Sequence, residues 1–118
     1  MNFTDVIMAH IAWKQRLLKY IGSDRSENLD PATVSQDNQC VLGKWIYGEG
    51  NRYSDLPEYI QVRTSHATFH ALAAQVIRLC DAGDLNAARH LLDHEYSQTS
   101  ESVKRWLARL AMNMKDKT

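Results

Sequence analysis

The chain has 118 residues, with 14 basic and 14 acidic side chains and a formal net charge of zero. This length is enough for a single domain with its own hydrophobic core, and residues 1–118 are expected to form one. Because the basic residues do not cluster, the chain lacks the positive patch of a nucleic-acid-binding protein. The longest apolar runs are only a few residues, far short of the roughly 20 that span a bilayer, so no membrane insertion is expected.

The cysteine content indicates the compartment. The chain has two cysteines, Cys40 and Cys80, which in principle could form one disulfide. The N-terminal segment carries an acidic residue, Asp5, and no cleavage site of small residues, which is unlike a signal peptide. We therefore expect a reducing, cytoplasmic setting, in which a single cysteine among histidines indicates metal binding or reactivity.

The first predicted element is a helix from about Phe3 to Ile21, with Asn2 as its cap and Gly22 as its stop. Apolar residues recur along it every three or four positions, which predicts one buried face. That face consists of Phe3, Val6, Ile7, Trp13, Leu17 and Ile21. His10 lies among these residues, so its imidazole is predicted to point into the core.

The next stretch carries the first cysteine. Ser23–Asn38 is polar and rich in turn-forming residues, and Gln39–Tyr47 then predicts a short helix. A helix N-terminus lowers the pKa of a thiol and favours the thiolate that metals bind, so Cys40 is a candidate ligand. A lone cysteine is more often a small buried apolar residue, which is how we interpret Cys80 on its apolar helical face.

Two long helices complete the chain. The first is predicted from Leu56-Pro57 to Ala82 and the second from Leu85 to about Met114. Their connection is so short that the two helices are expected to lie side by side and antiparallel. With no plausible strand, the sequence predicts an all-α fold, an antiparallel four-helix bundle with three long helices and one short Cys-bearing helix.

The histidines divide into two groups by the direction in which they face. His66 and His70 are four residues apart at the centre of an apolar stripe, so with His10 three imidazoles are predicted to point inward from two helices. Each buried ring nitrogen needs a partner, and a shared cation can supply it. His90 and His94 are also four residues apart, but they lie on the polar side of the last helix and are predicted to be exposed.

These candidates lie in motifs that resemble those of the chemoreceptor zinc-binding (CZB) family. The motifs are His10 with Trp13-Lys14, the segment Cys-Val-Leu-Gly-Lys-Trp from Cys40 to Trp45, and His-Ala-Thr-Phe-His from His66 to His70. Their order and spacing are similar to the family's first-helix histidine, its C-x-[LF]-G-x-W-like motif and its H-x-x-x-H motif. The resemblance spans nearly the whole chain.

The resemblance implies a four-helix bundle that binds zinc through His10, Cys40, His66 and His70. It further implies a homodimer that regulates a bacterial chemoreceptor or a diguanylate cyclase. Such domains are described as sensors of zinc, or of oxidants such as hypochlorous acid that act at the cysteine. On this basis Cys40 is the predicted redox-sensitive residue.

The chemistry of the donor set agrees with that expectation. One thiolate and three neutral imidazoles suit a tetrahedral Zn²⁺ site, and with four protein ligands no position is left for a substrate water, so no catalysis is expected. Two alternatives stay open. The first is a di-iron helical protein, which would need several carboxylates, for example in Glu-x-x-His pairs. No Glu-x-x-His pair occurs in the sequence. A metal-free structural bundle is the other. The roles of Trp13, Lys14, Gly43 and Trp45 are left open at this stage.

Overall fold

The computed structural model describes residues 1–22 and 27–117, with only the backbone of residues 116 and 117. Four residues of the predicted turn-rich segment Ser23–Asn38 therefore lie outside the described part. Within these ranges there are helices and no strand, which confirms the predicted all-α class. The helices are α1 (Phe3–Ile21), α2 (Pro31–Val34), α3 (Val41–Tyr47), α4 (Pro57–Asp81), α5 (Leu85–Leu91) and α6 (Ser97–Lys117).

The ends of α1 follow from its flanking residues. The Asn2 side chain accepts a hydrogen bond from the backbone N–H of Asp5 at 3.1 Å, which satisfies one of the free donors at the helix start. At the other end Gly22 donates its backbone N–H to the carbonyl of Leu18. Near this end the Tyr20 hydroxyl donates to the Asp81 carboxylate at 2.6 Å. This bond joins the C-terminal turn of α1 to that of α4.

The short helix α3 starts one residue after Cys40, and Cys40 is its N-cap. A 3₁₀ turn, Glu49–Tyr53, follows in the glycine-rich connection to α4. The Trp45 ring stacks on Tyr53 with ring centroids 6.2 Å apart, and it meets Phe3 edge-on at 5.6 Å. Through Trp45 the Cys-bearing helix is thus packed against the start of α1.

The last predicted helix is interrupted. A π-helical turn, Leu92–Tyr96, lies between α5 and α6 where a continuous α-helix was expected. The Ser97 hydroxyl donates to the carbonyl of Leu92 at 2.8 Å, and Lys14 donates to the Ser97 hydroxyl at 3.2 Å. Lys14 therefore connects α1 to the π turn.

The helix α4 lies at the centre of the molecule. It contacts α1, α2, α3, α5, the π turn and α6, and α1 also contacts α6. No helix in the described ranges is both long and apolar enough to cross a membrane. The core between the helices is built mainly from fully buried aliphatic and aromatic side chains, among them Leu17, Leu42, Ile46, Tyr59, Val62, Phe69, Ile77, Leu92, Tyr96, Leu107 and Leu110.

Candidate metal centre

Four metal-ligating side chains from three helical segments converge in the core. His10 comes from α1, Cys40 caps α3, and His66 and His70 come from successive turns of α4. One donor atom from each residue lies within 4.8 Å of the donor atoms of the other three. The three histidines are buried and the cysteine is half-buried. The structure therefore brings together the four residues that the sequence analysis selected.

The separations between donor atoms can be compared with those of a metal site. The Sγ atom of Cys40 lies 3.2 Å from Nε2 of His66 and 3.6 Å from Nε2 of His70, and the two Nε2 atoms are 3.0 Å apart. Zinc–nitrogen and zinc–sulfur bond lengths place neighbouring ligands of a tetrahedral ion about 3.3–3.6 Å apart. The donor atoms of Cys40, His66 and His70 are thus close to the spacing that one small ion requires.

Backbone carbonyls fix the orientation of two imidazoles. Nδ1 of His10 lies 2.8 Å from the carbonyl oxygen of Val6, and Nδ1 of His70 lies 2.9 Å from that of Val34. A carbonyl can only accept, so each Nδ1 carries the hydrogen and each Nε2 offers a lone pair. Metal-binding histidines in proteins are usually held in this way.

A comparison of the sequence with models of protein families finds the chemoreceptor zinc-binding domain, CZB. The match covers residues 10–77, more than half of the chain. The chain belongs to the CZB family. The matched region begins at the first candidate donor and contains all four. Comparison with curated proteins and with solved structures finds no match.

His66 differs from the other imidazoles of the CZB centre. Its Nδ1 atom is buried and has no hydrogen-bond partner among the described residues. Burial lowers the pKa of His66 to about 3, and His70 and His10 act in the same direction. With one nitrogen unpartnered and the ring enclosed, His66 is held by packing and by its contacts with the other donors.

Burial also keeps the other two imidazoles neutral. It lowers the pKa of His10 and of His70 from the ordinary value, although the bonds to the Val6 and Val34 carbonyls oppose this. Neutral imidazole is the form that binds a metal ion. The centre is thus prepared for a cation and would resist protonation at neutral pH.

The thiol of Cys40 departs from the prediction. Helix capping was expected to lower its pKa, but burial raises it, and the backbone N–H groups of Gly43 and Leu42 oppose this rise only in part. Gly43 donates to Sγ at 3.3 Å, as the cap requires. A thiol that coordinates a metal ion loses its proton because the cation stabilises the thiolate. A bound cation would therefore stabilise the thiolate of Cys40, which the helix N-terminus alone does not.

Gly43 allows the chain to pass close to this cap. A Cβ atom there would overlap the backbone oxygen of Asp37 and lie 2.9 Å from Cα of Asn38. The Asp37 carboxylate accepts a hydrogen bond from the Tyr47 hydroxyl, which raises the pKa of Tyr47 to about 12. The contacts with Asp37 and Asn38 explain the role of Gly43, which the sequence left open: a glycine permits the close backbone approach beside Cys40.

A cleft of about 410 Å³ opens beside the centre, and its lining includes Cys40 and His70 but not the other two donors. Trp13 forms part of its wall. The Arg16 guanidinium carbon lies 3.7 Å from the centroid of the Trp13 ring, and Arg16 also pairs with the Glu27 carboxylate. The cleft is therefore a route from solvent to the sulfur side of the centre.

The remaining histidines and cysteine lie outside the centre. His90 and His94 are exposed, as predicted, and Cys80 is buried with only 4% of its surface exposed. Sequence reasoning missed the carbonyls of Val6 and Val34. Backbone oxygens carry no residue-specific signal, so no pattern in the sequence could have identified them.

Proposed function

We propose that this CZB domain binds one Zn²⁺ ion through Nε2 of His10, Sγ of Cys40, and Nε2 of His66 and His70. The observation that carries the proposal is the approach of all four donor atoms to within 4.8 Å of one another. Zinc takes four ligands of this type in tetrahedral geometry, and sites closed by four protein ligands are structural or regulatory. The proposal therefore includes no catalytic activity.

The donor set favours zinc over iron. The group contains no aspartate or glutamate within the described residues, whereas di-iron bundles use several carboxylates. A thiolate with imidazoles is a borderline-soft set that suits Zn²⁺. The bonds of His10 and His70 to backbone carbonyls support metal binding as such, because each occupies Nδ1 and leaves Nε2 as the free lone pair.

Native mass spectrometry of tag-free protein, purified without added metal, tests this proposal. One zinc ion per chain is expected, and treatment with a strong chelator should remove its mass. A Cys80→Ser variant is the matched control and should keep the ion, because Cys80 lies outside the donor group. Two iron atoms per chain, or no metal, would contradict the zinc assignment.

The wider proposal is a regulatory module. Following its family, the chain would act as a single domain over residues 1–118, an antiparallel four-helix bundle that forms a cytoplasmic homodimer. Its output would be a chemoreceptor or a diguanylate cyclase. Support comes from the CZB match and from the links of α2 and α3 to the donors, through which a change at the centre would move neighbouring segments. The mass of the intact assembly in the same native mass spectrum tests whether two chains associate.

Oxidation at Cys40 is the proposed redox input. The cleft reaches this residue, whereas Cys80 is enclosed in the core. Hypochlorous acid and a thiolate give a sulfenic acid and chloride, with two electrons passing from sulfur to chlorine. A sulfenic acid is a weaker donor, so the hold of Cys40 on the centre and on the start of α3 would loosen together.

Brief exposure to sub-stoichiometric hypochlorous acid tests the redox part. Peptide mass spectrometry should find Cys40 modified first, and a chromophoric chelator should record zinc release in step with that modification. Cys80 is the internal control and should react more slowly. Earlier modification of Cys80 or of the methionines, with zinc retained, would contradict the redox role and leave zinc binding unaffected.

A further inference from the structure

A second pair of histidines lies on the surface, away from the metal centre. His90 is in the last turn of α5 and His94 lies within the π turn, and both side chains are exposed. Their ring centroids are 4.3 Å apart, compared with 4.5 Å for the buried pair His66 and His70. The exposed pair thus has nearly the ring separation of the pair in the metal centre, without the enclosing core.

We propose that His90 and His94 form a second, weaker site for a divalent transition-metal ion such as Zn²⁺. Residues four apart on a helix are neighbours on one face, so two imidazoles can offer nitrogen lone pairs to the same point. Imidazole is a good ligand for zinc, nickel and copper ions. Water would fill the remaining coordination positions, because the rings are open to solvent.

The composition of the site explains why it is weaker than the centre. Among the described residues no third histidine, cysteine or carboxylate joins this pair in a cluster. The neighbouring Asp93 is paired with Arg89 at 2.9 Å, which balances the guanidinium charge next to the site. With two protein ligands in place of four, the ion would exchange readily with solvent.

The location gives the second site a consequence. The two histidines lie on either side of the junction where α5 passes into the π turn, and π turns are rare and occur often at functional positions. An ion shared by both rings would clamp this junction from the solvent side. Leu92 and Tyr96 hold it from the core side. The bound ion would therefore stiffen the link between α5 and α6.

Calorimetric titration of the zinc-loaded, tag-free protein with additional Zn²⁺ tests the proposal. Zinc is the probe because it cannot exchange the resident ion for a different metal. The wild type should bind one further ion per chain with weaker affinity. His90→Ala or His94→Ala alone should weaken that event by about tenfold or more, because one of only two protein ligands is lost.

The matched control is Gln98→Ala, an exposed residue one helical turn beyond His94, which should leave the second event unchanged. Absence of a second event in the wild type would overturn the proposal. So would equal binding by the wild type and either histidine variant, or an equal loss in Gln98→Ala. The zinc count before titration reports the buried centre separately, so a failure there is distinguishable.

Discussion

Nδ1 of His70 lies 2.9 Å from the carbonyl oxygen of Val34, the last residue of the four-residue helix α2. Through this bond a candidate metal ligand contacts an element that is only one helical turn long. The same helix lines the cleft that reaches Cys40. The ring of His70 therefore links the state of the centre to the position of α2.

The two histidine pairs should differ sharply in their effect on the tightly bound zinc ion. His66→Ala or His70→Ala removes a donor, so the affinity for the first zinc should fall by more than the 10- to 100-fold typical of losing an outer-shell partner. The double variant His90→Ala and His94→Ala should keep that affinity, because both residues lie outside the donor group. Competition with a chromophoric chelator measures this, and equal losses would rule out the proposed ligand set.

Gly43→Ala should destabilise the protein and disturb zinc binding. The added methyl group would meet the backbone of Asp37 and Asn38, which cannot yield as a flexible side chain does. We expect a cost of about 1–3 kcal/mol in the free energy of unfolding, as for other overpacked positions. Urea unfolding measures it. Gly22→Ala is the control, since a Cβ there meets backbone oxygens at an ordinary 3.5 Å.

Chelation should lower the melting temperature while most of the helical signal remains. Structural zinc contributes on the order of 10 kcal/mol in small peptides without a core, but here the packing of α4 against α6 buries residues remote from the donors. Circular dichroism during heating, with and without chelator, tests this, and returning zinc should restore the melting temperature. Loss of the helical spectrum at room temperature would show that the core depends on the ion.

The metal-free protein should lose stability in acid. Burial lowers the pKa of His10, His66 and His70, to about 3 for His66, whereas the unfolded chain keeps values near 6.5. Below about pH 6.5 the unfolded state therefore binds more protons than the folded state. The free energy of unfolding should fall by up to about 1.4 kcal/mol per pH unit for each histidine, and the full contribution is present above that pH.

Urea unfolding of chelated protein between about pH 7.5 and pH 5 measures this slope. In a His66→Gln variant the dependence of the unfolding free energy on pH should be weaker by the contribution of one histidine, because glutamine does not titrate. A stability that stays constant over this range would mean that the three imidazoles are hydrated in the metal-free protein.

The elements that the sequence predicted are those with a strong apolar period. In α1 and α4 this period also set the direction of His10, His66 and His70, and the structure buries all three. No pattern in the sequence indicated the π turn. Leu92 and Tyr96 are four residues apart and both buried, so the apolar pattern reads as a continuous α-helix across the turn.

Other features depend on tertiary contacts and could not be read from the chain. The approach of Asp37 to Gly43 is a backbone contact, for which a glycine is only a weak signal. The shift in the pKa of Cys40 was predicted in the wrong direction. The helix start, which lowers the pKa, is visible in the local sequence, whereas the burial that raises it depends on the tertiary fold. Lys14 likewise finds its acceptor, Ser97, only after α1 and α6 have packed.

All four candidate donors lie between residues 10 and 70, so the helical segment from Leu85 to Lys117 contributes none of them. One ion shared by these residues would tie together a chain segment of about 60 residues in the folded protein, and its binding energy would stabilise that folded segment. The last segment stays outside that tie and is held by side-chain packing and by the hydrogen bond from Lys14 to Ser97. Local opening of this segment and exchange of its amide hydrogens would therefore break none of the four bonds to the ion.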